Sequence, residues 1–164
     1  MRAGTVPWVQ VGEARAAMSV PAVDHRTLSL GRLIPAPIEL VFAALRRGAH
    51  LVHWWPTEHP VQWGHDLRPG GRYHARHPSC ADGVHGTYTH VTPPHRLVLT
   101  WLRTDAADDI WCDTMVAITC AEAGPNTLLQ VEQTAFQTEA HRDAHATAWA
   151  HCLDRLTAEL IPAS

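Results

Sequence analysis

From residue 61 to residue 136 the chain alternates apolar and polar side chains with a period of two, and from 138 to 161 it switches to the period of a helix. No other feature restricts the fold as strongly, because the two periods demand different backbone geometries. The alternating segments are "VQWGHDL", "RYHARH" (72–77), "VHGTYTHV" (84–91), "RLVLTWLR" (96–103), "IWCDTMVAITCAE" (110–122) and "TLLQVEQTAF" (127–136). Between them stand "RPGG", "PSCADG", "TPPH", "TDAADD" and "AGPN", whose Gly, Pro, Asn and Asp residues favour turns. This spacing predicts consecutive antiparallel hairpins. In "TEAHRDAHATAWAHCLDRLTAELI" (138–161) no Pro or Gly interrupts the pattern. His145, Ala148, Trp149, Cys152, Leu153, Leu156 and Leu160 form an i, i+3, i+4 stripe, and Thr138 is placed to cap the helix, with Glu139 in its first turn.

Upstream, "RTLSLGRLIPAP" (26–37) predicts one more strand, ended by Pro35 and Pro37. Pro37 fits the first turn of a helix over 38–47, with Leu40, Val41, Ala44 and Leu45 on one face, and "HLVHWW" (50–55) predicts a second short helical turn ended by Pro56. Residues 1–22 carry no sustained period and are expected to be a loosely held tail, which leaves one domain over 23–164. The expected class is therefore α+β: a curved antiparallel sheet of six to seven strands, two short helices after the first strand, and one long C-terminal helix. A concave sheet facing a striped helix must bury the stripe, and where the two surfaces diverge a cleft remains for a small molecule.

Thirteen Lys and Arg face sixteen Asp and Glu with no run of one sign, which argues against a nucleic-acid or anionic-membrane surface. No segment approaches the ~18 apolar residues of a membrane span, and the N-terminus lacks the apolar core of a secretory signal. The four cysteines, Cys80, Cys112, Cys120 and Cys152, show no C-x-x-C spacing, so free packed thiols in a reducing cytoplasm are expected.

These residues together resemble a known pattern. "APIELVFAAL", "HLVHWWP", "DLRPGGRYHAR", "GVHGTYTHVTPPHRLVLTW", "VAITCAEAGPNTLLQVEQTAF" and "RDAHATAWAHCLDRLTAEL" are similar to single-domain bacterial homologues of the C-terminal domain of the heat-shock protein ninety ATPase activator. That family lies within the START-like, helix-grip superfamily, which includes plant pollen-allergen proteins and polyketide cyclases. The likeness runs over about residues 26–161, and its most specific pieces are Trp54-Trp55, "RPGG", "PPHRLVLTW" and the final "H…W…LDRL". It implies a sheet curled around the C-terminal helix with a cavity between. The chain departs from the pattern at Pro56, where Gly is frequent, at Cys120, where Phe is common, and at Ala135, which replaces a usual Gly before Phe136.

The candidate site residues are those expected to look into that cavity. "LVHWWPTEHPVQWG" (51–64) holds three tryptophans. Trp54 and Trp55 point about 100° apart on a helical turn, so one packs in the core and the other closes the cavity mouth, unless both are seam packing. Trp149 on the helix, with Trp101 and Leu99 on a strand, supplies opposing walls. Gln133 shares a face with Leu129 and Val131, and a buried amide without partners costs roughly 1–3 kcal/mol, so a ligand, a trapped water or a neighbouring carbonyl must satisfy it. His145 lies one turn before Trp149 and is the histidine expected to face inward, as orienting group or general base. Tyr88 and His90 share a face and add polar groups to the far wall.

Other chemistries find less support. His74, His77, Cys80 and His85 superficially form a zinc set, yet His74 and His77 differ by an odd number along a strand and face opposite sides. His141 and His145 have chelating spacing, but Arg142 stands where the zinc-protease pattern needs Glu. There is no G-x-S-x-G, no activating partner beside a cysteine in sequence, no glycine-rich phosphate loop before a helix, and Asp113 and Glu132 fall on the opposite face or the rim. No metal and no cofactor is expected. The leading expectation is a cytoplasmic protein, monomer or homodimer, that binds a small hydrophobic or aromatic molecule for sequestration, transport or self-resistance. A cyclase/aromatase-like enzyme using His145 comes second. A heat-shock protein ninety co-chaperone comes third, since residues 1–25 are too short to be the additional N-terminal domain of the eukaryotic activators.

Overall fold

The computed structural model describes residues 25–47, 62–76, 83–104, 107 and 109–161. Its elements run β1 (Thr27–Ile34), α1 (Ile38–Arg46), β2 (Gln62–His65), β3 (Arg72–Arg76), β4 (Gly83–Thr92), β5 (Arg96–Thr104), β6 (Ile110–Ala123), β7 (Asn126–Thr134) and α2 (Glu139–Leu160). The seven strands form one antiparallel sheet in the order β1-β7-β6-β5-β4-β3-β2. Each strand from β2 to β7 pairs with its successor in sequence, and β1 closes onto β7, Leu28 opposite Gln133 and Leu30 opposite Val131. The predicted hairpins, the first strand and the long helix are all present, with ends within two residues of the expected ones. The second short helical turn and the expected N-terminal tail lie outside the described residues.

Alternation decides the inner face. Leu97, Leu99 and Trp101 of β5, Cys112, Thr114, Val116, Ile118 and Cys120 of β6, and Thr127, Leu129, Val131 and Gln133 of β7 are all buried, and their sequence neighbours point outward or are half-covered. Helix α2 lays its stripe on this face through His145, Trp149, Cys152, Leu153 and Leu156. Thr138 caps it as expected, its hydroxyl accepting from the His141 N–H at 3.2 Å. Arg32 and Asp154 join β1 to α2 at 2.7 Å. α1 buries Ile38, Val41, Phe42, Ala44 and Leu45, whereas Leu40, expected on that face, is exposed. The buried face is centred one position further round because Phe42, not Leu40, fills the space, and the Thr127 hydroxyl ties the start of the helix to β7 by donating to the Ala36 carbonyl at 2.8 Å.

Two turns set how the sheet is held. At "RPGG", Gly70 takes a φ of 81°, and the loop is stitched to β4 by Gly70 N–H to Tyr88 O (2.7 Å) and Tyr88 N–H to Gly71 O (2.9 Å). Between β7 and α2, Ala135 takes a φ of 74°, a left-handed backbone that lets Phe136 donate its N–H to Arg26 O at 3.0 Å and bury its ring. The residue replacing the family's usual glycine is thus the one non-glycine residue with positive φ among the described residues. A Cβ in that region costs roughly 1–2 kcal/mol. Ala135 is exposed, so Ala135→Gly loses no packing. After allowance for the freer unfolded chain, we expect it to stabilise the fold by about 0.5–1 kcal/mol, raising Tm by a few degrees in a thermal melt. An unchanged or lower Tm would mean the strain is absent.

Candidate functional site

The inner face of the sheet beneath the first half of α2 carries an unusual concentration of rings and polar groups. Trp101 and Trp149 pack at 5.4 Å between centroids, Tyr73 lies 6.5 Å from Trp101 and 5.4 Å from Tyr88, and His65 meets Tyr88 edge-on at 6.3 Å. His145 sits between Trp101 (6.4 Å) and Phe136 (5.1 Å). The file of rings runs from β2 at one margin to α2, tilted and edge-on as ring quadrupoles prefer.

Several of its polar members are hydrogen-bonded within the seam. The Trp149 indole N–H donates to Gln133 Oε1 at 2.8 Å, Gln133 Nε2 donates to Thr114 Oγ1 at 2.7 Å, and the Thr114 hydroxyl donates to Trp101 O at 3.2 Å. Because an indole only donates, the orientation of the Gln133 amide is fixed. The amide that sequence alone left to a ligand, a water or a carbonyl is satisfied by two side chains. His145 Nδ1 lies 2.7 Å from the His141 carbonyl, which only accepts, so Nδ1 carries a proton and Nε2 turns toward Cys112 Sγ at 3.9 Å. Tyr73 donates to Thr100 O at 2.6 Å, and His65 Nδ1 meets the Tyr88 hydroxyl at 3.2 Å.

Burial disfavours the charged forms of His65, Tyr73, Tyr88 and Cys112. Burial pushes the Tyr73 and Tyr88 phenols well above their ordinary range. Burial lowers the basicity of His65, against which the Asp66 carboxylate works in the opposite direction. The Cys112 thiol is pushed up by burial, with the Thr114 hydrogen bond and the Arg103 charge opposing and Asp113 adding to the rise. A cysteine beside a histidine is the arrangement of a thiolate nucleophile, but here burial raises the thiol and the sulfur contact is long, which disfavours the thiolate. Burial likewise drives Cys120 and Cys152 up to about 12. We therefore expect a Cys80→Ser variant to show no rapid reaction with a disulfide reagent when folded and three titratable thiols after denaturation. Fast modification of Cys112 in the folded protein would contradict the assignment.

Of the residues singled out from sequence, Tyr88, Leu99, Trp101, Gln133, His145 and Trp149 come together, all buried, at this seam. Trp54 and Trp55 lie outside the described residues. His90 does not join them. A bulge between Tyr88 and His90 sets His90 opposite Val98, reverses the alternation, and leaves His90 exposed and bonded to the Thr92 hydroxyl at 2.8 Å, while Val91 turns inward instead. Sequence reasoning passed over Tyr73, Thr114, Cys112 and His65. Thr114 and Cys112 were readable, since they alternate in phase with Val116. The Cys112–His145 approach was not, because it joins residues 33 apart in the chain. Asp113 and Glu132 are exposed, on the outer face. Among the described residues no group of three or more His, Cys, Asp or Glu is assembled to hold a metal, and no helix is long and apolar enough to cross a membrane.

Comparison with known proteins bears on the same architecture. The family model described as Activator of Hsp90 ATPase homolog 1-like protein matches residues 35–160. No curated protein matches the chain. Among solved structures, protein CV1439 from Chromobacterium violaceum is 26% identical with a TM-score of 0.74, over 84% of this chain and 99% of that one. The AHSA1 protein from Silicibacter pomeroyi is 28% identical with a TM-score of 0.69, over 82% and 96%. CalU16 from Micromonospora echinospora, 22% identical with a TM-score of 0.65 over 83% and 76%, shares the fold.

Proposed function

The chain belongs to the family of Activator of Hsp90 ATPase homolog 1-like proteins, a helix-grip domain, and from that premise we propose that it binds a small, largely apolar or aromatic molecule between the sheet and α2. The observation that carries this reading is the file of rings from His65 through Tyr88, Tyr73 and Trp101 to Trp149, which mixes apolar faces with hydroxyl, indole and imidazole groups at a helix–sheet seam. A seam that needed only packing is served by Leu, Ile and Val. Flat rings spaced by a few polar atoms suit a flat guest whose edge carries one or two polar groups.

In this reading Tyr88, Leu99, Trp101 and Trp149 are walls and His145 orients the guest. Gln133 acts at one remove, by holding the Trp149 indole. Of Trp54 and Trp55, one is assigned to the core and the other to the mouth, on sequence grounds alone. Sequestration, transport and self-resistance all use such binding.

The test is mass spectrometry of gently purified protein for a retained small molecule, followed by thermal-shift titration with an aromatic library. A retained guest, or a Tm that rises with ligand concentration, is the expected result. Absence of both would defeat the proposal. His145→Ala then separates binding from catalysis. A binder loses affinity modestly, whereas a cyclase-like enzyme loses turnover by about a hundredfold or more.

A further inference from the structure

The sheet ends in two margins that are built differently. β2, at one end of the strand order, is four residues long. β1, at the other, runs eight residues from Thr27 to Ile34 and pairs with β7 without a shift of register. Among the described residues no strand lies beyond it. An edge strand offers its outward N–H and C=O groups to whatever comes alongside, and proteins that keep an edge unpaired blunt it with proline, a bulge, exposed charge or shortness. From Leu28 to Ile34, β1 uses none of these. Its single charged residue, Arg32, lies on the inner face and is matched by Asp154 of α2 at 2.7 Å. Its outer face shows Ser29, Gly31 and Leu33, all exposed and uncharged.

Gly31, near the middle of this strand, points the same way. Glycine inside a strand gives up backbone entropy on folding and brings no side chain to pack, so it marks a bulge, a bend or the close approach of another backbone. The register passes through Gly31 without a bulge, and its φ is not positive. A Cβ there would meet nothing nearer than Gln130 Cγ and Leu129 O, both at 3.9 Å. The protomer's own packing therefore does not call for glycine at this position, whereas a neighbouring strand does.

The neighbour that fits is the same strand from a second copy. When two β1 strands run antiparallel with Gly31 opposite Gly31, Leu30 faces Arg32, Ser29 faces Leu33 and Leu28 faces Ile34 across the pair. Inward residues then meet inward ones and outward meet outward, so the two sheets continue into each other with no like charges opposed. At a two-fold axis each residue meets its own copy, with Cα atoms about 4.5–5.5 Å apart. Glycine brings no side chain into that crossing. Leu33, 54% exposed beside its ladder partner Leu128, is covered by the added strand.

We propose that the chain forms a homodimer by antiparallel pairing of β1 with β1 of a second copy, about a two-fold axis at Gly31. The contact is one strand wide, at the small end of protein interfaces, so the dimer exchanges with monomer and depends on concentration. It lies apart from the rings of the proposed interior site, so either proposal can fail without the other.

The experiment is sedimentation velocity of the full chain from micromolar to several hundred micromolar, and the expected result is a reversible shift from monomer to dimer. Gly31→Lys has room for its Cβ in the protomer and should keep the parent circular dichroism. It sets two ammonium groups against each other at the axis and should weaken association by tenfold or more. His90→Lys places a like charge on the exposed outer face four strands away and should leave association unchanged. Gly31→Cys in a Cys80→Ser background should be captured by oxidised glutathione as a disulfide-linked dimer, and His90→Cys in that background should not. A chain that stays monomeric throughout would overturn the proposal and leave the edge to a different partner. Association that Gly31→Lys does not weaken, or that His90→Lys weakens equally, would overturn it too, as would failure of Gly31→Cys to cross-link.

Discussion

Gly86→Ala is expected to destabilise the fold by about 3 kcal/mol, lowering Tm by roughly 10 °C. Gly86 faces Tyr73 across the β3–β4 ladder. The Tyr73 ring lies over it, held there by the hydroxyl's bond to Thr100 O at 2.6 Å, while the Thr87 N–H bonds Thr100 Oγ1 at 2.9 Å. An added Cβ would stand well inside van der Waals contact distance of the Thr100 carbonyl oxygen and press on the Tyr73 ring edge. Neither is the loose end of a flexible side chain. The oxygen belongs to the β5 backbone, and the ring is packed against Tyr88 and Trp101. To admit the methyl, β4 must move off β5 or Tyr73 must leave its place, and either breaks the file of rings. Urea unfolding followed by circular dichroism measures the loss. A change below about 1 kcal/mol would show that the strands are not in this register.

Gln133→Ala should cost about 3 kcal/mol or more. The side chain is fully buried and links two others, so truncation leaves a cavity and strands the Trp149 indole N–H without its acceptor. Gln133→Leu fills the space but still orphans the indole, and should cost about 1–2 kcal/mol. Adding Trp149→Phe to Gln133→Leu removes the orphan donor, so the double variant should lose less than the sum of the two singles by about 1 kcal/mol. Additive losses would mean that Gln133 and Trp149 do not share a hydrogen bond. The same pair tests the proposed role of Gln133, since an indole released from its amide no longer presents a fixed wall to a guest.

The inward phase of the site was legible wherever alternation ran uninterrupted. Leu99 with Trp101, and Leu129 with Val131 and Gln133, are buried together because a strand repeats every two residues whatever surrounds it. The stripe on α2 was legible for the same local reason, and both His145 and Trp149 face inward. His90 was misread because one bulged residue inverts everything after it, and "GTYTHV" has nothing that announces where the extra residue goes. Leu40 was misread because a nine-residue helix carries apolar residues around more than one face, so neighbouring packing chooses the buried arc.

The sequence by itself determined the strands, the long helix, the antiparallel pairing of consecutive strands from β2 to β7 and most of the inward-facing residues, because periodicity and turn chemistry are local properties of the chain. Only the tertiary structure decided how those residues are used. It gave Gln133 its partners on β6 and α2, and set His145 beside Cys112. Each of these depends on the register between strands and on which turn of the helix rests on which strand. No stretch of sequence encodes such a distance, because it is settled by the packing of the whole core at once.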